Sequence, residues 1–247
     1  MLNLRPEDIQ HKSYLNQLLM EITDQPRLAQ GLAFKGGTCA AMLGYLDRFS
    51  VDLDFDVLAG TDEAAMRKSF HGVFDKLGFS VRLEFDNALF FQLRYPVRTG
   101  KRNTLKVSTS NMSVRANQYK VQYFPEIDRL LNSQTIETMF ANKLVLLTDR
   151  YVQDKTIAGR DVYDIHHFFM QGYSYHAAVI QERTGFSPRE YFGRLIEFIT
   201  EQVTQTIINQ DLNSLLPNKQ FQRVRKVLLP DTLAMLASEQ NRLEEDG

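Results

Sequence analysis

Phe34–Val57, reading FKGGTCAAMLGYLDRFSVDLDFDV, sets the frame for the rest of the chain. The apolar triplet Leu32-Ala33-Phe34 predicts a short strand, stopped by the pair Gly36-Gly37. Thr38–Leu46 is rich in small residues and predicts a closely packed helix. Phe49–Leu58 then alternates with the period of a strand. Val51, Leu53, Phe55 and Val57 face one way, and Asp52, Asp54 and Asp56 face the other. Glycine turn, helix and carboxylate strand, in that order, point to a phosphate cradle beside a divalent-metal site.

Two aspartates separated by one residue on a strand bring their carboxylates close together, where they repel unless a cation joins them. Mg²⁺ suits the pair Asp52 and Asp54, because it takes oxygen ligands and commonly uses one or two carboxylates plus substrate phosphates. A solvated acidic strand face produces the same Asp-x-Asp pattern, so the motif alone is weak. Gly36 and Gly37 strengthen it, since they let backbone approach a phosphate closely and lead into a helix N-terminus. Thr38 adds a hydroxyl to that set.

Outward from this stretch, residues 6–24 carry Ile9, Leu15, Leu18, Leu19 and Ile22 at helical spacing, and a second short helix runs to about Gln30. Residues 62–77 predict another helix. Residues 79–124 predict four strands, with a turn marked by Gly100 and Asn103. After Pro125 the texture is helical almost to the end. The fold class expected is α+β: a mixed sheet flanked by helices over residues 1–125, then an all-α domain over 126–247.

The net charge of −1 over 247 residues argues against a protein coated in basic charge. A single cysteine, Cys39, rules out an intramolecular disulfide, and its small-residue neighbourhood reads as a buried helix position. The start of the chain lacks the apolar segment of a secretory signal, and no apolar run approaches membrane-spanning length, so a cytoplasmic protein without a membrane partner is expected.

The helix predicted over Ile136–Tyr151 places Lys143 and Arg150 inside its apolar arc. A cation turned toward a core needs an anion to meet it. A nucleotide phosphate meets that need, and so does a buried carboxylate. Further on, Asp161 and Asp164 lie on one side of a helix opened by Gly159-Arg160. Taken alone, Asp161 reads as a cap or as a structural partner of Arg150. His166 and His167 read as helix-surface residues.

Gly-Gly-Thr, thirteen residues and then Asp-Leu-Asp resembles the signature of the polymerase-β-like nucleotidyltransferase superfamily. More narrowly, KGGT followed by Arg48-x-Ser50-x-Asp52-x-Asp54 resembles the AbiEii/AbiGii toxin family of nucleotidyltransferases. Lys143-x6-Arg150 and Arg160-Asp161-x-x-Asp164 resemble that family's remaining motifs, in the same order. The resemblance covers residues 32–169. It implies a Mg²⁺-dependent enzyme that transfers a nucleoside monophosphate from an NTP and releases pyrophosphate. Asp52 and Asp54 would hold the metal, and Gly36, Gly37, Thr38, Arg48, Ser50 and Arg150 would surround the nucleotide. Lys143 would bind a phosphate, while Asp161 or Asp164 would be the general base or an organiser of the site. It also implies a toxin of a bacterial toxin–antitoxin or phage-defence pair, with a cognate antitoxin as partner and the site in the cleft between the two domains. Many superfamily members carry a third carboxylate on a later strand, where this chain reads Lys106-Val107-Ser108. Serine is a poor Mg²⁺ ligand, so Asp56 or an aspartate of the last motif has to compensate, or activity is low or lost.

Asn87–Phe124 contains no acidic residue but carries Arg94, Arg98, Lys101, Arg102, Lys106, Arg115 and Lys120, interspersed with Tyr95, Tyr119 and Tyr123. Basic charge with aromatics suits an RNA acceptor such as tRNA, whose modification the family resemblance also implies. Edge-strand charges that discourage aggregation give the same pattern. A small-molecule transferase of the antibiotic type and a non-catalytic nucleotide or RNA binder are the alternatives.

Overall fold

The computed structural model describes residues 6–96, 103–110 and 114–245. The chain divides into two compact units, one of residues 1–113 with 119–134 and one of residues 114–118 with 135–247.

The first unit opens with α1 (Pro6–Asp24) and α2 (Pro26–Gly31), followed by β1 (Leu32–Lys35) and α3 (Gly36–Met42). Then come β2 (Leu53–Val57), α4 (Glu63–Lys76), β3 (Ser80–Glu84), β4 (Phe90–Arg94), β5 (Thr104–Ser110), β6 (Tyr119–Phe124) and β7 (Arg129–Gln134). The seven strands form one mixed sheet in the order β3-β4-β5-β2-β1-β7-β6. β2 runs antiparallel to β1 and parallel to β5, which places the acidic strand near the middle of the sheet. The strand alternation seen in the sequence explains the layering. Phe34 and Phe55 face each other with ring centroids 5.2 Å apart and lie on the side of Ile22 and Leu28. Phe70 and Phe74 of α4 pack on Phe91 at 5.2 and 5.0 Å, extending the same core. The opposite face of the sheet carries Lys35 opposite Asp54.

Three elements differ from the sequence reading. The helix expected over Thr38–Leu46 is only Gly36–Met42. The strand expected from Phe49 starts at Leu53. β1 turns into α3 just past Lys35, whose register partner is Asp54, so residues before Leu53 have no β1 neighbour. Val51 instead gives its carbonyl to His11 Nε2 at 2.8 Å. The texture after Pro125 is not helical at once, because Arg129–Gln134 forms β7 between β1 and β6. Its sequence RLLNSQ has little strand character of its own, and pairing on both sides supplies what propensity does not. The expected turn residue Gly100 lies outside the described residues.

The second unit is helical: α5 (Ile136–Asp154), α6 (Gly159–Met170), α7 (Ala177–Thr184), α8 (Pro188–Gln202), α9 (Gln205–Leu212) and α10 (Asn218–Glu245). Thr135 caps α5 by accepting from Thr138 N, and Ser187 with Glu190 forms a capping box on α8. Its core includes Phe140, Leu144, Phe168, Phe192, Leu195 and Leu228, all at most 1% exposed. Among the described residues no helix is long and apolar enough to cross a membrane.

Candidate active site

The first cluster is built where β1, α3 and β2 meet. Gly36 has φ +78°, a left-handed conformation that disfavours any side chain. A Cβ on it would lie 2.7 Å from Asp54 Oδ2, so the carboxylate rests directly against the glycine backbone. Gly37 meets a different neighbour. A Cβ there would come within 2.7 Å of the Arg48 guanidinium and 3.1 Å of Ser50 Oγ. Arg48 is 3% exposed and donates to the Phe49 carbonyl at 3.0 Å. Thr38 is equally buried, and its hydroxyl lies 2.9 Å from Ser50 Oγ and 2.5 Å from the Asp52 carbonyl. Thr38, Arg48 and Ser50 therefore brace the Phe49–Asp52 segment from inside.

Asp52 and Asp54 are both half-buried. Each has one oxygen engaged from β5: Lys106 N donates to Asp52 Oδ1 at 3.3 Å, and the Ser108 hydroxyl donates to Asp54 Oδ1 at 2.6 Å. Ser108 is the register partner of Asp54. It thus occupies the strand position from which a third carboxylate would reach the pair. Among the described residues no group of three or more His, Cys, Asp or Glu is disposed to hold a metal. The donor set that remains, two carboxylates, still fits Mg²⁺, which draws the rest of its shell from water and phosphate oxygens. Asp54 Oδ2 takes the place that a side chain at residue 36 would fill.

Asp56 shares the strand but not the exposure. It is 3% exposed and bonded by Lys35, Gln134 and Tyr119. It does not stand in for the missing third ligand, because donors already converge on both of its oxygens. Lys35 opens the KGGT motif, and its bond to Asp56 is not visible in that motif.

The second cluster lies on α5 and α6. Lys143 Nζ is 2.8 Å from Asp161 Oδ1 and 3.0 Å from Asp164 Oδ2, and Arg150 Nε is 3.1 Å from Asp161 Oδ2. Both aspartates are fully buried. Burial pushes the Asp161 carboxyl up, but the Lys143 and Arg150 charges outweigh it and hold the group below the usual carboxylate range. The inward Lys143 meets buried carboxylates on the neighbouring helix. Gly159 allows the helix start to approach α9, since a Cβ there would lie 2.9 Å from the Ile207 carbonyl oxygen.

Several residues stand apart from the sequence reading. His166 is not on the helix surface: its side chain is 14% exposed, 3.9 Å from Asp231, and burial lowers its pKa. Tyr95 is 1% exposed, hydrogen-bonded to His11 and stacked on Tyr14, so it is not open to a base. Tyr119 and Tyr123 are exposed, at 36% and 52%. Arg94 and Lys106 project from the sheet face that carries Asp54, whereas Arg115 belongs to the second unit. Arg98, Lys101 and Arg102 lie outside the described residues. Cys39 is buried, which raises its thiol pKa well above the usual value and removes it as a nucleophile.

The family model of the nucleotidyl transferase AbiEii toxin, of type IV toxin–antitoxin systems, matches residues 17–237. The chain belongs to the AbiEii family. Solved structures share the fold over nearly the whole length of this AbiEii chain. A Helicobacter pylori protein superposes with a TM-score of 0.60 at 20% identity, covering 99% of both chains. JHP933 from Helicobacter pylori gives 0.58 at 21% identity, over 99% of this chain and 96% of its own. MenT4, a nucleotidyltransferase toxin of Mycobacterium tuberculosis, gives 0.52 at 18% identity, over 96% and 88%. No curated protein sequence matches at a significant level. The α+β nucleotidyltransferase-like fold expected from the sequence is the fold observed, and AbiEii membership implies a cognate antitoxin.

Proposed function

We propose that this AbiEii protein transfers a nucleoside monophosphate from an NTP to an RNA acceptor such as tRNA, and that this transfer is its toxic activity, including any role in phage defence. The observation that carries the reading is Asp54 Oδ2 seated on Gly36, with Asp52 two residues earlier. A carboxylate pair beside a glycine turn is what a metal-bound triphosphate requires.

Asp52 and Asp54 would hold Mg²⁺, which when bound aligns the triphosphate and offsets charge on the attacking and leaving oxygens. The chain's own residues do the positioning. Lys106 N and Ser108 Oγ orient the two carboxylates, while Thr38, Arg48 and Ser50 stiffen the segment that carries Asp52. Gly36 and Gly37, which carry no side chain of their own, would let the phosphates approach the backbone. Asp161, with a cation on each oxygen, is better suited to holding Lys143 and Arg150 than to taking a proton. Asp164, which also contacts Lys143, is the other candidate for the base. Arg94, Lys106, Tyr119 and Tyr123 provide charge and stacking surface for the acceptor.

Ser108 favours a second reading, a nucleotide or RNA binder that has lost catalysis. Incubating the protein with each labelled NTP, Mg²⁺ and total RNA separates the two. Label in RNA is expected. Retained nucleotide binding with no transfer to RNA or to small hydroxylated compounds favours the binder, and transfer to small compounds alone favours the antibiotic-type enzyme.

A further inference from the structure

Asp56 lies two residues beyond Asp54 on β2, yet its surroundings differ. Lys35 Nζ is 2.6 Å from Oδ1, while Gln134 Nε2 and the Tyr119 hydroxyl are 2.6 and 3.1 Å from Oδ2. Lys35 is not the ladder partner of Asp56. In the antiparallel register Lys35 faces Asp54, and Asp56 faces Ala33. The lysine therefore crosses diagonally, past the carboxylate directly opposite it, to reach the more buried one. Diagonal neighbours on a sheet face are about 7–8 Å apart, within reach of a long side chain, and alanine at the opposite corner leaves the path clear.

The charge consequence concerns Asp54. An ammonium on Asp54 would occupy the oxygen that a divalent cation needs. We propose that Asp56 is a positioning residue that parks the Lys35 ammonium and so keeps Asp54 open to a divalent cation. This rests on the reading of Asp52 and Asp54 as cation ligands. Gln134 and Tyr119 fix Oδ2 and so aim Oδ1 at the amine. The third aspartate of the strand acts as a counter-ion rather than as a ligand.

The test is titration of Mn²⁺ alone into the full chain, with free Mn²⁺ read by electron paramagnetic resonance. Asp56→Asn keeps an acceptor for Gln134 and Tyr119 but releases Lys35 toward Asp54, and is expected to bind Mn²⁺ about tenfold more weakly. Lys35→Met with Asp56→Asn is expected to return within about threefold of wild type, since no ammonium is left to compete. A purely structural role predicts the reverse, because the double variant loses a second partner. Lys35→Met alone, which keeps all three carboxylates, is expected to bind at least as tightly as wild type, and this arm stands even if Asp56→Asn does not fold. Unchanged binding in Asp56→Asn, a double variant as weak as Asp56→Asn, or weaker binding in Lys35→Met overturns the proposal alone. Wild type that takes up no Mn²⁺ overturns the cation reading of Asp52 and Asp54, and this proposal with it.

Discussion

Ser108 stands beside Asp54 in the parallel register of β5 and β2, and its hydroxyl donates to Asp54 Oδ1 at 2.6 Å. A carboxylate at that position would face the same oxygens that a cation contacts. Ser108→Asp is therefore expected to bind Mn²⁺ more tightly than wild type, and Ser108→Ala to leave binding within a few-fold. Titration of Mn²⁺ checks both. Weaker binding by Ser108→Asp would show that no cation mediates between these positions.

Gly36→Ala meets two obstacles at once, a φ of +78° and the Asp54 carboxylate 2.7 Å from the new methyl. A strained non-glycine residue costs about 1–3 kcal/mol. Denaturant unfolding should show a loss of that order, accompanied by weakened Mn²⁺ binding as Asp54 is displaced. A variant as stable as wild type would mean that the glycine is not required where the chain turns into α3.

Lys143→Met removes a cation from between two buried carboxylates. Breaking a buried pair costs about 3–5 kcal/mol, so unfolding at neutral pH should show a loss of that size. The pH dependence has a definite sign. Asp161 has its folded pKa held below the unfolded value, so in wild type its contribution is present above about pH 4 and lost as pH falls through the folded pKa. Without Lys143 the burial of Asp161 is less fully offset, so its pKa should rise and the penalty of the substitution should shrink as pH falls. A penalty independent of pH would contradict the ion-pair account.

The fold was legible where side-chain period and punctuation agreed. The helix Pro6–Asp24, the strands on either side of Gly36-Gly37 and the four strands up to Phe124 followed from apolar spacing and turn residues. β7 was not legible, because RLLNSQ becomes a strand only through partners far away in the chain. The clusters divide in the same way. Asp52, Asp54, Lys143 and Asp161 stood out by type and face. The partner of Lys143 did not, since an inward lysine specifies an anion without saying which one. Burial of Tyr95 under Tyr14, and the diagonal reach of Lys35 to Asp56, depend on tertiary packing that no local pattern encodes.

Gly159→Ala would drive a methyl into the backbone of α9, 2.9 Å from both the Ile207 carbonyl oxygen and the Ile208 Cα. Overpacking of this kind costs about 1–3 kcal/mol. Hydrogen exchange should show reduced protection concentrated in α6 and α9. Unchanged protection there would mean that the two helices part at little cost.

The central claim is that Asp54, seated on Gly36, serves nucleotidyl transfer. Pyrophosphate release from each NTP, measured with Mg²⁺ and total RNA for wild type and for Asp54→Ala, tests it most directly. The account predicts release from at least one NTP by wild type, with label appearing in RNA, and loss of at least about a hundredfold in Asp54→Ala. No release from any NTP by wild type, or equal release by both proteins, would contradict it.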